Sequence, residues 1–174
     1  MSGKFISLFL LLIVSAGSEA QSFSEPSIPK DTLITLTRTS CYGYCPSYKL
    51  TISADGTVTF EGRDYVKTKG TVKSRISRKQ LQQLISEFKK LNYFSLRDQY
   101  QSEEDGCSTV WTDYPSATTS VRLNGKSKSI LHYYGCHKDP GNTMYPKGLT
   151  ELESKIDEIV GTERWIGQTQ NPTR

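Results

Sequence analysis

Sulfur offers this chain its most definite chemistry. The four cysteines, Cys41, Cys45, Cys107 and Cys136, allow three disulfide pairings. The favoured set joins Cys41 to Cys45 and Cys107 to Cys136. Residues four apart in a tight turn can bring their Cα atoms within disulfide range, and Gly43 relieves the backbone between them. The second bridge would close a loop of about thirty residues, worth roughly 3–4 kcal/mol in a chain-entropy treatment. Thiol redox chemistry is the competing use. Dithiol enzymes place Cys-x-x-Cys at a helix start, where the dipole stabilises a thiolate. Cys41 and Cys45 have one residue more between them, and strand rather than helix pattern follows Pro46.

Nitrogen and oxygen offer weaker chemistry. His132, Cys136 and His137 cluster in sequence, and with Cys107 they form a set that zinc would accept. In an oxidising compartment the sulfurs pair instead, so neither a metal nor a cofactor is assigned. The two histidines, with nearby carboxylates, also define an alternative reading as a small hydrolase or metal-dependent enzyme. Glu103, Glu104, Asp105 and Asp113 could supply a carboxylate pair for glycoside cleavage. An acidic run beside Gly106 reads more simply as a solvated loop, and neither Gly-x-Ser-x-Gly nor His-Glu-x-x-His occurs. No catalytic residue is assigned.

The aromatic content points to recognition. Of ten tyrosines, Tyr42 and Tyr44 flank Gly43 inside the Cys41–Cys45 bracket. Rings held rigid by a cross-link lose little entropy on binding; they would serve equally well to cover the edge of a core. Thr112-Asp113-Tyr114-Pro115 reads as a turn whose Asp bonds backbone amides. Tyr42, Tyr44, Asp113 and Tyr114 are the candidate ligand-binding residues. Lys67, Lys69, Lys73, Arg75, Arg78 and Lys79 form a basic run without an acid. It is either a solvated face or an electrostatic dock for an anionic glycan or acidic partner.

These groups need elements to position them. Thr32 to Arg38 is β-branched and apolar, a first strand. Tyr48, Leu50 and Ile52 alternate with polar residues, as do Val58 and Phe60, the period of half-buried strands. For Ile52 and Val58 to share a face, Ala54-Asp55-Gly56 must form a three-residue loop with Gly56 left-handed. Tyr65 to Ile76 is a fourth strand with Gly70 as a possible bulge. Leu81, Leu84, Ile85, Phe88 and Leu91 form one helical stripe, opened by a Ser77–Gln80 capping box and stopped at Asn92. An irregular stretch follows from Tyr93 to Ala117. Thr118 to Leu123 and Lys126 to Tyr134 flank Asn124-Gly125, a hairpin signal. A two-residue turn there sets Val121 against Lys128, which argues for a longer loop. Leu149 to Val160 carries a second helical stripe. Pro146 suits its first turn, Glu151 and Glu153 its positive end and Gly161 its exit. Trp165 and Ile166 fold back on the core. The expected fold is α+β: an antiparallel sheet of five to six strands in the order ββββαββα, with two amphipathic helices on one face.

The ends set the compartment. Lys4, the apolar run Phe5 to Val14 and Ser18-Glu19-Ala20 form a signal peptide, too short in its apolar part to span a bilayer. The expected organisation is a signal at 1–20, a flexible leader at 21–30, one domain over 31–167 and a frayed tail at 168–174. One base and one acid leave with the signal. The 22 Lys+Arg and 18 Asp+Glu of the whole chain therefore drop by one each, and the excess stays at +4. So mild an excess does not mark a nucleic-acid binder, and no second apolar run of spanning length follows. The expected location is exported, periplasmic or secreted, with no membrane contact after the signal is removed.

Cys41-Tyr42-Gly43-Tyr44-Cys45-Pro46-Ser47-Tyr48, Asp55-Gly56-Thr57-Val58, Gly62, Gly70, Thr112-Asp113-Tyr114-Pro115 and Ile156-Asp157 together resemble a bacterial family of exported domains, domain of unknown function 6438. The resemblance covers about Asp31 to Ile166. It implies no established activity, cofactor or catalytic residue. Some relatives are fused to repeat domains used in protein contacts, which implies binding. Cys107 and Cys136 lie outside the shared block. The resulting expectation is a disulfide-stapled, non-enzymatic binding domain with a protein or anionic glycan partner. The alternatives are the enzyme above or an inhibitor of a cell-wall or proteolytic enzyme.

Overall fold

Alternating burial builds the sheet. The computed structural model describes residues 27–140 and 148–167. In β1 (Leu33–Arg38) Ile34 and Leu36 are buried with Arg38 partly so, and in β2 (Tyr48–Ser53) and β3 (Thr57–Gly62) every second residue is buried. These strands form an antiparallel meander, and β4 (Gly70–Arg75) pairs outside β3. The Ala54–Gly56 loop has the three residues expected: Ile52 sits opposite Val58, and Gly56 has φ +82°.

Two helices roof one face of the sheet. Helix α1 (Arg78–Lys90) begins at the expected capping box, with Ser77 and Gln80 bonding reciprocally, and Asn92 follows it in the left-handed region. Helix α2 (Leu149–Val160) ends at Gly161 in the same region. Leu81, Leu84 and Phe88 of α1 pack over Ile34, Leu36, Leu50 and Ile52, together with Leu152 and Ile156 of α2. Gln80 Nε2 donates to the Ile159 carbonyl (3.0 Å), tying the helices together. A short α3 (Glu163–Ile166) folds Trp165 back onto Phe60, with ring centroids 4.9 Å apart.

The expected α+β class holds, but the strand count and order differ. Five more strands follow, β5 (Gln99–Tyr100), β6 (Thr109–Val110), β7 (Ser116–Leu123), β8 (Lys126–Tyr133) and β9 (Cys136–His137). Among the described residues the main sheet has seven strands in the order β4-β3-β2-β1-β7-β8-β5, and a second sheet pairs β6 with β9. Strand β7 (Ser116–Leu123) pairs with β1, so the first strand of the chain lies at the centre. Strand β5 (Gln99–Tyr100) comes from the stretch expected to be irregular and runs parallel to β8 (Lys126–Tyr133). Two-residue strands carry too little periodicity to be read from sequence. The same holds for β6 (Thr109–Val110) and β9 (Cys136–His137).

Three local expectations are corrected. The fourth strand starts at Gly70, directly opposite Gly62, so Gly70 opens the ladder without bulging it, and Lys67 and Lys69 precede the strand. The Asn124-Gly125 turn has two residues, both with positive φ, and Val121 does face Lys128. The clash of parity disappears because Lys128 lays its stem along the sheet and carries its ammonium to Asp98. Glu153, expected at the positive end of a helix, lies beyond its first turn and is fully buried. The expected signal, most of the expected leader, Pro146 and the expected tail lie outside the described residues. Among the described residues, no helix is long and apolar enough to cross a membrane.

Candidate functional site

One register row places the polar centre of the molecule. Across the core face at one end of the sheet run Gly62, Tyr48, Arg38, Ala117, His132 and Tyr100, each opposite the next on the neighbouring strand. Gly62 and Ala117 add little bulk, so the row has room for the long side chains between them. Helix α2 lies over it and supplies two carboxylates one turn apart, Glu153 and Asp157.

The hydrogen bonds form one continuous chain. The Asp157 carboxylate accepts from Arg38 Nη2 (2.8 Å), Arg38 Nε (3.0 Å), Tyr48 Oη (2.7 Å) and Thr162 Oγ1 (3.0 Å). Arg38 Nη1 donates to Tyr134 Oη, and Tyr134 Oη donates to Glu153 Oε2 (2.7 Å). Glu153 also faces His132 Nδ1 at 2.9 and 3.1 Å. Facing a carboxylate, Nδ1 carries the proton. His132 and Glu153 are 1% and 0% exposed, a burial that only such pairing makes tolerable.

Electrostatics keep the Arg38 guanidinium charged and the Tyr48 and Tyr134 phenols protonated. Burial disfavours the Arg38 charge, but Asp157, Tyr48 and Tyr134 more than offset it and hold the guanidinium protonated. Burial, reinforced by the Asp157 carboxylate, pushes the Tyr48 phenol above its ordinary range. Burial likewise raises Tyr134, with Arg38 opposing and Glu153 adding to the shift. At neutral pH both phenols are therefore donors.

A cleft of about 270 Å³ opens above this floor. Arg38, Tyr48 and Tyr134 lie at its base, and Cys45, Pro46, Pro115 and Ile166 wall it. Two loops flank it. The Cys41–Cys45 disulfide closes one (Cα separation 5.5 Å), and the Thr112–Pro115 turn forms the other. They are joined where Tyr42 N–H donates to the Asp113 carbonyl (3.3 Å) and Thr39 N–H to the Ser116 carbonyl (3.0 Å). Asp113 has φ +71°. Its carboxylate accepts from the Thr112 hydroxyl (3.2 Å), where a bond from a backbone amide had been expected.

Exposed aromatic side chains lie on or beside the loops that supply these walls, Tyr42 and Tyr44 in the loop that Cys45 closes and Tyr114 next to Pro115, and none of the three lines the cleft itself. Tyr42 and Tyr44 are 91% and 68% exposed, so they do not cover the core edge. Tyr44 meets Tyr65 edge to face at 5.3 Å. Tyr114 neighbours Trp111 at 6.1 Å, and Trp111 packs on His137 at 3.9 Å. Of the exposed large apolar side chains among the described residues, all but Phe94 belong to this group: Tyr42, Tyr44, Tyr65, Val110, Trp111 and Tyr114. The Cys107–Cys136 disulfide (Cα separation 5.1 Å) pins β6 to β9 and so fixes the Trp111 end.

The other candidates take separate places. His132 lies under α2, whereas His137 sits at the surface sheet against Trp111. Asp105 organises its own loop, accepting from Gln99 Nε2 (3.0 Å) and Ser102 Oγ (2.9 Å). Cys107 and Cys136 are bonded to each other, and no group of three or more potential metal ligands occurs among the described residues. Arg38, Glu153 and Trp111 escaped the sequence reading. Arg38 nevertheless had a legible sign: in Ile34-x-Leu36-x-Arg38 a charge occupies the buried parity of a strand. Glu153 and Asp157 likewise sit on the apolar stripe of their helix.

Motif residues far apart in the chain thus converge on one cleft. Cys45, Pro46, Tyr48, Pro115 and Asp157 all touch it or its floor. In comparisons with known proteins, no curated protein matches this chain. The model of a family described as a domain of unknown function (DUF6438) matches residues 32–160, nearly all of the described domain, and the chain belongs to that family.

Proposed function

We propose that this chain is an exported, non-enzymatic binding domain that grips a protein partner through the cleft and its aromatic rim. One observation carries the reading: among the described residues, most exposed large apolar side chains lie on or beside the two loops that wall a single cleft, one of them closed by a disulfide. Exposed aromatic groupings of this kind mark interaction sites. Disulfides and backbone bonds hold the rings before the partner arrives, which lowers the ordering cost of binding. The polar floor supports the same reading. The Arg38, Tyr48 and Tyr134 donors are directed to Asp157 and Glu153, so they maintain the shape of the cleft. Tyr42 and Tyr44 act as anchors, with Asp113 and Tyr114 on the opposite wall. An inhibitor of a cell-wall or proteolytic enzyme would use the same surface and differ only in its partner. The two disulfides and the signal-like residues 1–20 support export.

The test is partner capture by the immobilised, oxidised domain from an extracytoplasmic extract of the native host. Replacing both Tyr42 and Tyr44 with Ala should abolish capture while leaving the unfolding midpoint nearly unchanged, because neither ring is buried. Capture that survives the double substitution would refute the assignment.

A further inference from the structure

The basic run plays no part in the cleft, and the structure gives it a setting. Both long helices cover one face of the seven-stranded sheet. On the opposite face the outward residues of β1, β2 and β3 are only partly buried. Register lines up Lys73, Thr59, Thr51, Thr35, Ser120 and Ser129 as one row across six strands. At about 4.8 Å between strands, the row is roughly 24 Å long. Five of its six members are hydroxyls, and Ser120 Oγ donates to Ser129 Oγ (2.8 Å).

Charge on this face is mostly positive. Lys49 stands beside Thr37 in the next row, and Arg122 stands beside Leu33 on the other flank. Arg75 extends the same side of β4 as Lys73, partly balanced by Asp55 at 3.4 Å. Glu61 is the one acid among the outward strand residues and stands directly opposite Lys49, which it partly balances, leaving Lys73 and Arg122 without a cross-strand acid. Lysines on the edge strand β4 alone would be a guard against edge-to-edge pairing. Lys49 and Arg122 lie on interior strands, where no edge needs guarding.

We propose that this open sheet face binds an anionic polysaccharide. The hydroxyl row is matched to sugar hydroxyls, and Lys49, Lys73 and Arg122 to carboxylate or sulfate groups spaced along the polymer. A lipid surface fits less well, because few apolar side chains point outward to insert. This face is separate from the aromatic rim, so its test does not depend on that assignment.

The experiment measures retention of the exported chain on immobilised polygalacturonate and heparin, with dextran as the neutral comparison and phosphatidylglycerol vesicles as a lipid one. Retention on the two anionic polymers should fall as salt rises. Replacing Lys49, Lys73 and Arg122 together with Gln should weaken it by about tenfold or more, the same replacement at Lys79, Lys89 and Lys138 much less. Thr35→Val with Thr51→Val, which keeps shape but removes two hydroxyls, should also weaken it. Single substitutions Lys49→Gln and Lys73→Gln give graded losses should the triple variant fold poorly. Equal losses from the two triple sets, equal retention on dextran, or tighter binding to the vesicles than to either polymer would overturn the proposal.

Discussion

Glu153 accepts from His132 and Tyr134 where neither His132 nor the carboxylate touches water. Removing one partner of such a pair strands the other in a low-dielectric setting, whereas replacing both by apolar groups removes the desolvation cost together with the bond. Glu153→Ala should therefore destabilise the fold by about 3–5 kcal/mol. The double variant His132→Leu with Glu153→Leu should lose clearly less than the sum of the single losses. Urea unfolding of the wild type, His132→Leu, Glu153→Leu and the double variant checks this cycle; additive losses would mean that the pair is not coupled. The residue scale is also where sequence reading fell short. Arg38 and Asp157 are 119 positions apart, and nothing local to either specifies the other. A charge at a buried parity announces that a partner exists without saying where it is.

At the scale of elements, the two disulfides do different work. Cys107–Cys136 closes a 29-residue separation and Cys41–Cys45 only four. Loop-closure entropy gives roughly 3.6 kcal/mol for the first and about 2 kcal/mol for the second. Serine at both Cys107 and Cys136 should thus lower the urea midpoint more than serine at both Cys41 and Cys45. It should also shift Trp111 emission, because the bridge holds the β6–β9 pair beneath that ring. A larger loss from the short bridge would contradict the entropic account. The helices, the Ala54–Gly56 loop and the α1 capping box were legible in advance, since each depends on residues a few positions apart. The Asn124-Gly125 turn was misjudged because Lys128 was treated as a charge when its aliphatic stem is what occupies the face.

For the whole molecule, burial of phenols makes stability depend on alkaline pH. Tyr48, Tyr93 and Tyr134 all have raised ionisation ranges, with burial as the first cause. Unfolded tyrosine ionises near pH 10. Below that value both states hold these protons, and the contribution to stability is complete. Above it the unfolded chain releases protons that the folded chain retains, so stability falls as pH rises. Absorbance titration of the native protein should leave at least three of the ten tyrosines un-ionised until the chain unfolds. Urea midpoints should decline from about pH 10 upward. Full phenolate absorbance while the fold persists would contradict this.

Sequence alone determined the α+β class, both helices and most of the central strands. These follow from periodicities and spacings that the chain carries locally. Tertiary structure decided that β1 lies mid-sheet, that β5 joins in parallel, and that Arg38, Tyr48, Tyr134, Glu153 and Asp157 meet beneath one cleft. The physical reason is one of range. Backbone period and capping depend on neighbours within a turn or a strand, whereas a buried charge is satisfied only by whichever distant element the packing of the core brings over it.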